Sequence, residues 1–163
     1  MSAQTLLTSL LRHKAWADRE LADVLVAQGH ELPEAKRESV LRLLDHAHAV
    51  DRIFVANLQR KPHGYASTEP VDLPRQAALL AAIDEIDRWL IDHAVGLETN
   101  ELEEQVAFVF TDGRAGRMSR EEMLAHLIAH GGYHRGEIGR ILTEQFGSSP
   151  PDTFTGYLRR FER

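Results

Sequence analysis

The chain has 163 residues, of which 43% are hydrophobic, and this is enough for a single domain over residues 1–163 with one buried core. Its formal net charge is −6 and it has no block of basic residues, which argues against a nucleic acid or an anionic membrane as a partner. It contains no cysteine, so disulfides and thiolate ligands are excluded, and any metal must bind to nitrogen or oxygen.

Two amphipathic helices are predicted in the first part of the chain. Apolar residues recur at helical spacing over residues 4–28, until a glycine ends the pattern. Within this helix, His13 is expected at the surface and Trp16 in the core or at an interface. A second helix should contain Pro33 in its first turn, where the missing N–H would be unpaired in any case, and end near residues 61–62.

A third helix is predicted from Pro74 to Leu97. It follows a connection over residues 63–73 that is rich in Pro, Gly, Ser and Thr, and that is long for two neighbouring antiparallel helices. The third helix carries several acidic residues that we expect to form a solvated face. These are Asp84, Glu85, Asp87 and Asp92.

Two short elements are predicted outside the long helices. The β-favouring run over residues 106–110 is followed by Asp112-Gly113, which can form a tight turn, so a short β-hairpin is expected before the fourth helix. After the fourth helix, a loop and one short helix over residues 154–161 are expected to complete the domain.

The fourth helix begins with a capping box, in which Ser119 and Glu122 satisfy each other's backbone N–H groups, and it ends at Gly147. Four glycines lie inside it, and each costs about 1 kcal/mol relative to alanine in an exposed helix. Close approach of another helix or subunit, or room for a ligand, would offset this cost. The four positions are Gly131, Gly132, Gly136 and Gly139.

Histidines recur every fourth residue on this helix, at His126, His130 and His134. Residues four apart share a helix face, so neighbouring imidazoles can bind one ion with their nitrogens at about 2.0–2.1 Å. Histidine stripes also occur on solvated faces, so the spacing permits a metal site without establishing it. On the second helix, His46 and His48 point in directions about 200° apart, so one of them points inward. A buried histidine there is either a third ligand or a core side chain bonded to a carbonyl or carboxylate.

Four motifs, in their order and spacing, resemble the DinB superfamily over nearly the whole chain. They are Arg12-His13-Lys14-Ala15-Trp16-Ala17-Asp18, Asp45-His46 with Val50-Asp51-Arg52-Ile53-Phe54, Phe110-Thr111-Asp112-Gly113, and the segment His126–Glu137. The resemblance implies an all-α four-helix bundle with up-down-down-up connectivity, which would explain the long connection between the second and third helices. It also implies a mononuclear divalent metal, Zn or Ni, held by His46, His130 and His134.

The resemblance also distinguishes the three metal-ligating histidines from the residues around them. His126 lies one turn too early to be a ligand and is assigned to packing or to the residues around the ligands. Where similar sequences have an amide such as glutamine this chain has Glu137, and where they often have tryptophan it has Phe54. Both differences would change the shape or polarity of a pocket around the metal, and neither removes a metal ligand. A di-iron carboxylate centre would need two Glu-x-x-His motifs, and the sequence contains none.

Three further residues are candidates for orienting the ligands or moving protons, namely Asp51, Tyr133 and Glu137. The sequence does not identify a general base. An ordinary surface ion pair of Asp51 with Arg52 or Arg135 is an equal alternative.

Three neutral imidazoles would leave a divalent ion with its full charge and an open position, which is typical of catalytic sites. Such an ion can lower the pKa of water to about 7 or bind a thiol as its thiolate. The resemblance implies transferases or isomerases that use a low-molecular-weight thiol, and hydrolysis is the other reaction considered. The alternatives are a non-catalytic metal-binding module and a stress-response interaction module.

Further expectations concern partners and location. The glycines of the fourth helix and the resemblance favour a homodimer, and an enzyme of this kind would take a small-molecule substrate. No nucleic acid and no membrane are expected as partners. The start of the chain lacks the basic and apolar regions of a signal peptide, so we expect a soluble cytoplasmic protein.

Overall fold

The protein is described by a computed structural model that covers residues 2–69 and 72–161. In chain order the elements are α1 (Ala3–Gln28), α2 (Glu34–Leu58), α3 (Gln76–Gly96), α4 (Thr99–Leu102), β1 (Gln105–Val109), β2 (Ala115–Ser119), α5 (Arg120–Phe146) and α6 (Phe154–Phe161). This confirms the predicted all-α bundle with a hairpin and a short terminal helix. The sequence did not indicate the single turn of α4. Within the described ranges, no helix combines the length and apolarity that a membrane span requires.

Two apolar clusters show the direction in which each long helix runs. The first joins the starts of α1 and α5 to the ends of α2 and α3, through Leu7, Leu11, Ile53, Phe54, Leu90, Ala94, Met123 and Leu124. The second joins the opposite ends, through Leu21, Leu25, Val40, Leu44, Leu79, Ile83, Ile138 and Leu142. Thus α1 and α5 run one way and α2 and α3 the other, which is the up-down-down-up order. Because α2 and α3 are parallel, their connection must run back along the bundle.

The residues predicted to begin and end the fourth helix do so in the structure. At the start of α5, the Ser119 hydroxyl accepts from the Glu122 N–H at 3.1 Å, and the Glu122 carboxylate accepts from the Ser119 N–H at 2.7 Å. Gly147 ends α5 in the left-handed conformation, with φ of 80°. Three predicted boundaries differ from the structure. Pro33 caps α2 from outside its first turn, and Pro74 lies two residues before α3 begins. The end of α2 is at Leu58 rather than near residues 61–62.

The hairpin closes one end of the bundle. β1 and β2 pair antiparallel, with Gln105 opposite Ser119. Gly113 makes the turn between them with φ of 85°, a conformation that glycine adopts without strain. Val106 and Phe108 point inward and belong to the first apolar cluster. The hairpin therefore shields the ends of α2 and α3 and the start of α5 from water.

Candidate metal centre

Three histidines from two helices meet between α2 and α5. One ring nitrogen from each of His46, His130 and His134 lies within 4.8 Å of the other two. The Nε2 atoms of His130 and His134 are 3.1 Å apart. A metal about 2.0–2.1 Å from two nitrogens holds them about 3–3.4 Å apart, so this pair has the spacing of a chelating pair. The chemistry and the spacing of the donor set therefore fit a divalent ion.

Hydrogen bonds on the outer nitrogens orient two of these rings. His134 Nδ1 lies 2.8 Å from Oε2 of Glu137, one turn further along α5. His46 Nδ1 lies 3.2 Å from the carbonyl oxygen of Thr68, which belongs to the connection between α2 and α3. Because each Nδ1–H donates outward, the lone pair of each Nε2 is left for a metal. This is the arrangement that commonly supports metal-ligating histidines.

Burial keeps the third ring, His130, in the neutral form that binds metals. Desolvation, followed by the neighbouring imidazoles of His134, His126 and His46, lowers the pKa of His130 to about 4. At neutral pH a proton therefore does not compete with a metal for this ring. The centre is not sealed, since the side chains of His46 and His134 keep 20% and 12% of their exposure.

The first histidine of the stripe, His126, lies beside this centre rather than in it. Its ring stacks on Phe54 with centroids 4.7 Å apart and on His130 with centroids 5.4 Å apart. Burial lowers the pKa of His126, so this ring too stays neutral. The structure thus places His126 where packing against His130 can hold that ring in position.

The two histidines of α2 face different neighbours, and both are largely shielded from water. His46 faces the histidines of α5, whereas His48 lines a cavity of about 350 Å³ with Arg52 and Trp89 on the side towards α3. His48 is the more buried of the two, with 8% exposure, and burial lowers its pKa to about 4. The prediction that one of the two points inward was therefore incomplete, because both do. His48 lies where a core histidine would, but its Nδ1 has no hydrogen-bond partner among the described residues, whereas a carbonyl or carboxylate was expected there.

Comparison with known families identifies one that covers almost the whole chain. The sequence model of the DinB family matches residues 1–161. The chain belongs to the DinB family. Neither the curated proteins nor the solved structures include a significant match to this chain.

A buried ionic cluster that the sequence analysis missed lies beside the histidines of this DinB protein. Lys14 on α1 is 2% exposed, although lysine is rarely buried. Its Nζ lies 3.0 Å from Oδ2 of Asp18, 3.0 Å from Oδ2 of Asp51 and 2.6 Å from Oδ1 of Asp87. The cluster therefore ties α1 to both α2 and α3 at the level of the metal centre.

The structure corrects the expectations for Asp87 and His13 and rejects one of the alternatives for Asp51. Asp87 is 4% exposed and is not part of the solvated face of α3. Asp51 is also buried, and its ion-pair partner is Lys14 rather than a surface arginine. His13 is 8% exposed rather than at the surface, and its Nε2 lies 3.3 Å from Oδ1 of Asp152. Trp16 is buried at 9% exposure, as expected.

Charge balance determines the protonation of the cluster. Burial lowers the pKa of Lys14, but its three carboxylates outweigh burial and raise the pKa well above the ordinary value. Burial raises the pKa of Asp87 to about 7, more than Lys14 lowers it. Asp18 keeps a lowered pKa despite its burial, since both Lys14 and Arg135 face it. Burial also raises the pKa of Asp51. Lys14 therefore stays charged, while Asp87 and Asp51 take up a proton more readily than Asp18 does.

Gly131 lets this cluster approach α5 closely. A Cβ at Gly131 would lie 3.2 Å from Cε of Lys14 and 3.2 Å from Nη1 of Arg135. Of the two explanations offered for the glycines of this helix, close approach of a neighbouring helix therefore applies at Gly131. Gly136 is different, because a Cβ there would meet nothing within 4 Å.

One signal in the sequence could have revealed the buried cluster. One face of α1 follows steps of four and three residues, and Lys14 and Asp18 take the two middle positions of an otherwise apolar stripe on that face. The stripe consists of Leu7, Leu11, Lys14, Asp18, Leu21 and Leu25. A lysine and an aspartate in such a stripe indicate a buried ion pair with a partner on another helix.

Proposed function

We propose that this DinB protein binds one divalent ion, Zn or Ni, through His46, His130 and His134 and uses it in catalysis. The reaction classes are hydrolysis and transfer to or from a low-molecular-weight thiol. The observation that carries the proposal is the convergence of three imidazole nitrogens within 4.8 Å, from two helices and without any carboxylate among them. Such a donor set suits zinc or nickel better than magnesium or calcium, which prefer oxygen.

Ligand number supports a catalytic rather than a closed structural site. A divalent ion with three neutral ligands supplies a Lewis acid with an open coordination position, whereas structural zinc sites are usually four-coordinate. Neighbouring residues fix the orientation of the three imidazole rings. Glu137 bonds to His134 and Thr68 to His46, and His126 packs on the ring of His130. Tyr133 lies at the rim, 67% exposed, with its ring 5.1 Å from the ring of His134. Its phenol is available to a substrate that approaches from solvent.

A non-catalytic metal-binding role is the second candidate, and one observation favours it. The three histidines connect α2 to α5, and Thr68 adds the connection between α2 and α3 to the same place. A metal bound here would link α2, α5 and the connection between α2 and α3. In that role the ion contributes mainly to folding stability, because binding to the native state alone lowers its free energy.

The first experiment measures metal content per chain by elemental mass spectrometry. Wild type should retain about one zinc or nickel ion, and His46→Ala, His130→Ala and His134→Ala should lose it. His48→Ala on α2 and His126→Ala on α5 are the matched controls and should keep it. Failure of the wild type to bind either ion, even after reconstitution, would refute the proposal.

Chelation separates the two candidates. For an enzyme, removal of the metal should abolish turnover in a screen of thiol acceptors and hydrolysable esters, and returning the metal should restore it. For a structural site, removal should mainly lower the midpoint of thermal unfolding, and no metal-dependent turnover should be found. Circular dichroism on the same samples shows whether the bundle stays folded while the metal is absent.

A further inference from the structure

One edge of the hairpin carries backbone groups without partners in the described structure. The Phe110 N–H donates to the Arg114 carbonyl at 2.8 Å, and the Arg120 N–H donates to the Glu104 carbonyl at 3.2 Å. In an antiparallel pair, hydrogen-bonded residues alternate along the strand, so the even-numbered residues of β1 bond to β2. The N–H and C=O groups of Gln105, Ala107 and Val109 therefore point away from β2.

This edge lacks the usual protection against pairing with another strand. Natural edge strands commonly carry a charge or a proline that prevents a further strand from adding. β1 reads Gln-Val-Ala-Phe-Val and has neither. The opposite edge is protected, because β2 carries Arg117 at its centre and the outward N–H of Ser119 bonds to Glu122. The contrast marks the free edge of β1 as a surface available for strand addition.

A groove of about 750 Å³ runs along the same edge. It is lined by β1, by the end of α2 and by residues 61–65, and by no residue of β2, so it lies on the side away from the hairpin partner. The chain turns from the end of α2 into residues 61–65 at Arg60, two residues after the helix ends, with φ of 56°. Pro62, Tyr65 and Phe108 make the groove apolar enough to receive alternate side chains of an added strand.

The charge of the groove indicates which kind of strand it would accept. None of its lining residues is an aspartate or glutamate, although the whole chain carries a net charge of −6. Arg60 is already paired with Glu104. Lys61 is exposed and has no ion-pair partner among the residues that the structure describes. An acidic side chain on an added strand would supply that partner.

We infer that the free edge of β1 binds an extended acidic segment of a partner protein by strand addition. The backbone groups of Gln105, Ala107 and Val109 bond to the added strand, its apolar side chains enter the groove, and an acidic side chain pairs with Lys61. Strand addition is an established mode of peptide recognition, in which the main chain supplies affinity and the alternate side chains supply specificity. This interaction is independent of a metal at the histidines.

The hairpin offers a matched pair of variants for the test. Ala107→Pro removes an outward N–H from β1, and proline is tolerated at such an edge position because the ladder to β2 does not use that N–H. Arg117→Pro makes the same change at the residue opposite, on the protected edge. Lys61→Glu reverses the charge in the groove. Circular dichroism and thermal unfolding show that each variant is folded.

The probe is a fluorescent peptide of alternating glutamate and valine, as long as β1, compared with one of alternating lysine and valine. We expect the acidic peptide to bind wild type and Arg117→Pro, and to bind Ala107→Pro and Lys61→Glu at least about tenfold more weakly. In wild type, the amides of Ala107 and Val109 should gain protection from hydrogen exchange. The lysine peptide should bind weakly.

Three results would overturn the inference. The first is failure of the acidic peptide to protect these amides at millimolar concentration, and the second is binding of the peptide to Ala107→Pro as tightly as to wild type. A dimer that light scattering detects in wild type and not in Ala107→Pro would show that the edge is occupied by a second copy of the chain.

Discussion

The Nδ1 of His134 lies 2.8 Å from Oε2 of Glu137, three residues further along α5. The carboxylate accepts the Nδ1–H, which selects the tautomer whose Nε2 lone pair points toward His46 and His130. A charged acceptor also makes the imidazole a stronger base than an amide would. The carboxylate of Glu137 therefore orients the ring of His134.

Removal of Glu137 should weaken metal binding without unfolding the protein. We expect Glu137→Ala to lower affinity for zinc by about 10–100-fold, because the ring of His134 loses its orienting partner. Glu137→Gln keeps an acceptor and should lose less. Glu144→Ala, which changes an exposed glutamate on the same helix, is the control and should bind like wild type. Competition with a chromogenic chelator measures the affinities, and equal values for all four proteins would contradict the orienting role.

The glycines of α5 should respond differently to alanine. At Gly131 a Cβ would lie 3.2 Å from Cε of Lys14, whose ammonium is held by three carboxylates and cannot easily move. We expect Gly131→Ala to lower the free energy of unfolding by about 1–3 kcal/mol through overpacking. Gly136→Ala meets nothing within 4 Å and should raise it by up to about 1 kcal/mol. Urea unfolding of both variants tests this, and a stabilised Gly131→Ala would show that Lys14 can shift.

Lys14 should matter more to stability than an exposed lysine or arginine. Lys14→Met keeps most of the side-chain volume but leaves Asp18, Asp51 and Asp87 without their ammonium, and should cost about 3–5 kcal/mol. The control is Arg19→Met, which breaks the exposed pair with Asp84 and should cost about 0–1 kcal/mol. The comparison uses urea unfolding followed by circular dichroism. Similar costs for the two variants would mean that the buried cluster contributes little.

The pH dependence of stability should reveal the proton on Asp87. Burial raises its pKa from the ordinary value of 3.8 to about 7 in the folded protein. The folded state thus holds a proton that the unfolded state has released, so stability falls as pH rises between these values and levels off above about 7. Asp87→Asn lacks this titration.

Unfolding free energies of wild type and Asp87→Asn at about pH 5 and about pH 8 test this prediction. The unfolding free energy of wild type minus that of Asp87→Asn should be lower at about pH 8 than at about pH 5. The other groups of the cluster titrate in both proteins, so the difference isolates Asp87 to first order. A relative stability that stays the same at both pH values would mean that Asp87 is already ionised in the folded protein at the lower pH and would contradict the prediction.

The sequence predicted well those features that depend on neighbouring residues. The Ser119 capping box and the glycine that ends α5 act through hydrogen bonds and backbone conformations within a few residues. The 3.6-residue periodicity predicted four long helices for the same reason. Pro33 and Pro74 show the limit of such signals, since each proline excludes certain conformations without specifying which residue begins the helix.

The sequence did not predict which residues the buried polar side chains contact. Asp87 was expected on a solvated face because acidic residues usually are, and it was found buried because Lys14, distant in sequence, reaches it from α1. For Asp51 the sequence left open a role near the ligands and a surface pair with an arginine, whereas the ion-pair partner in the structure is again Lys14. Burial of such carboxylates is tolerable only when an opposite charge is present, and that charge comes from another helix.

The sequence by itself determined the helices, the hairpin, the absence of thiolate ligands and the four-residue repeat of histidines on α5, because periodicity, turns and composition are local properties. The residue pattern left open whether His46 or His48 faces the histidines of α5, the resemblance implied His46, and the tertiary structure brings His46 to His130 and His134. Only the tertiary structure decided that Lys14 lies against Gly131. These relationships depend on how α1, α2 and α5 are rotated and packed. That packing is set by the burial of whole helix faces, which no single stretch of sequence contains.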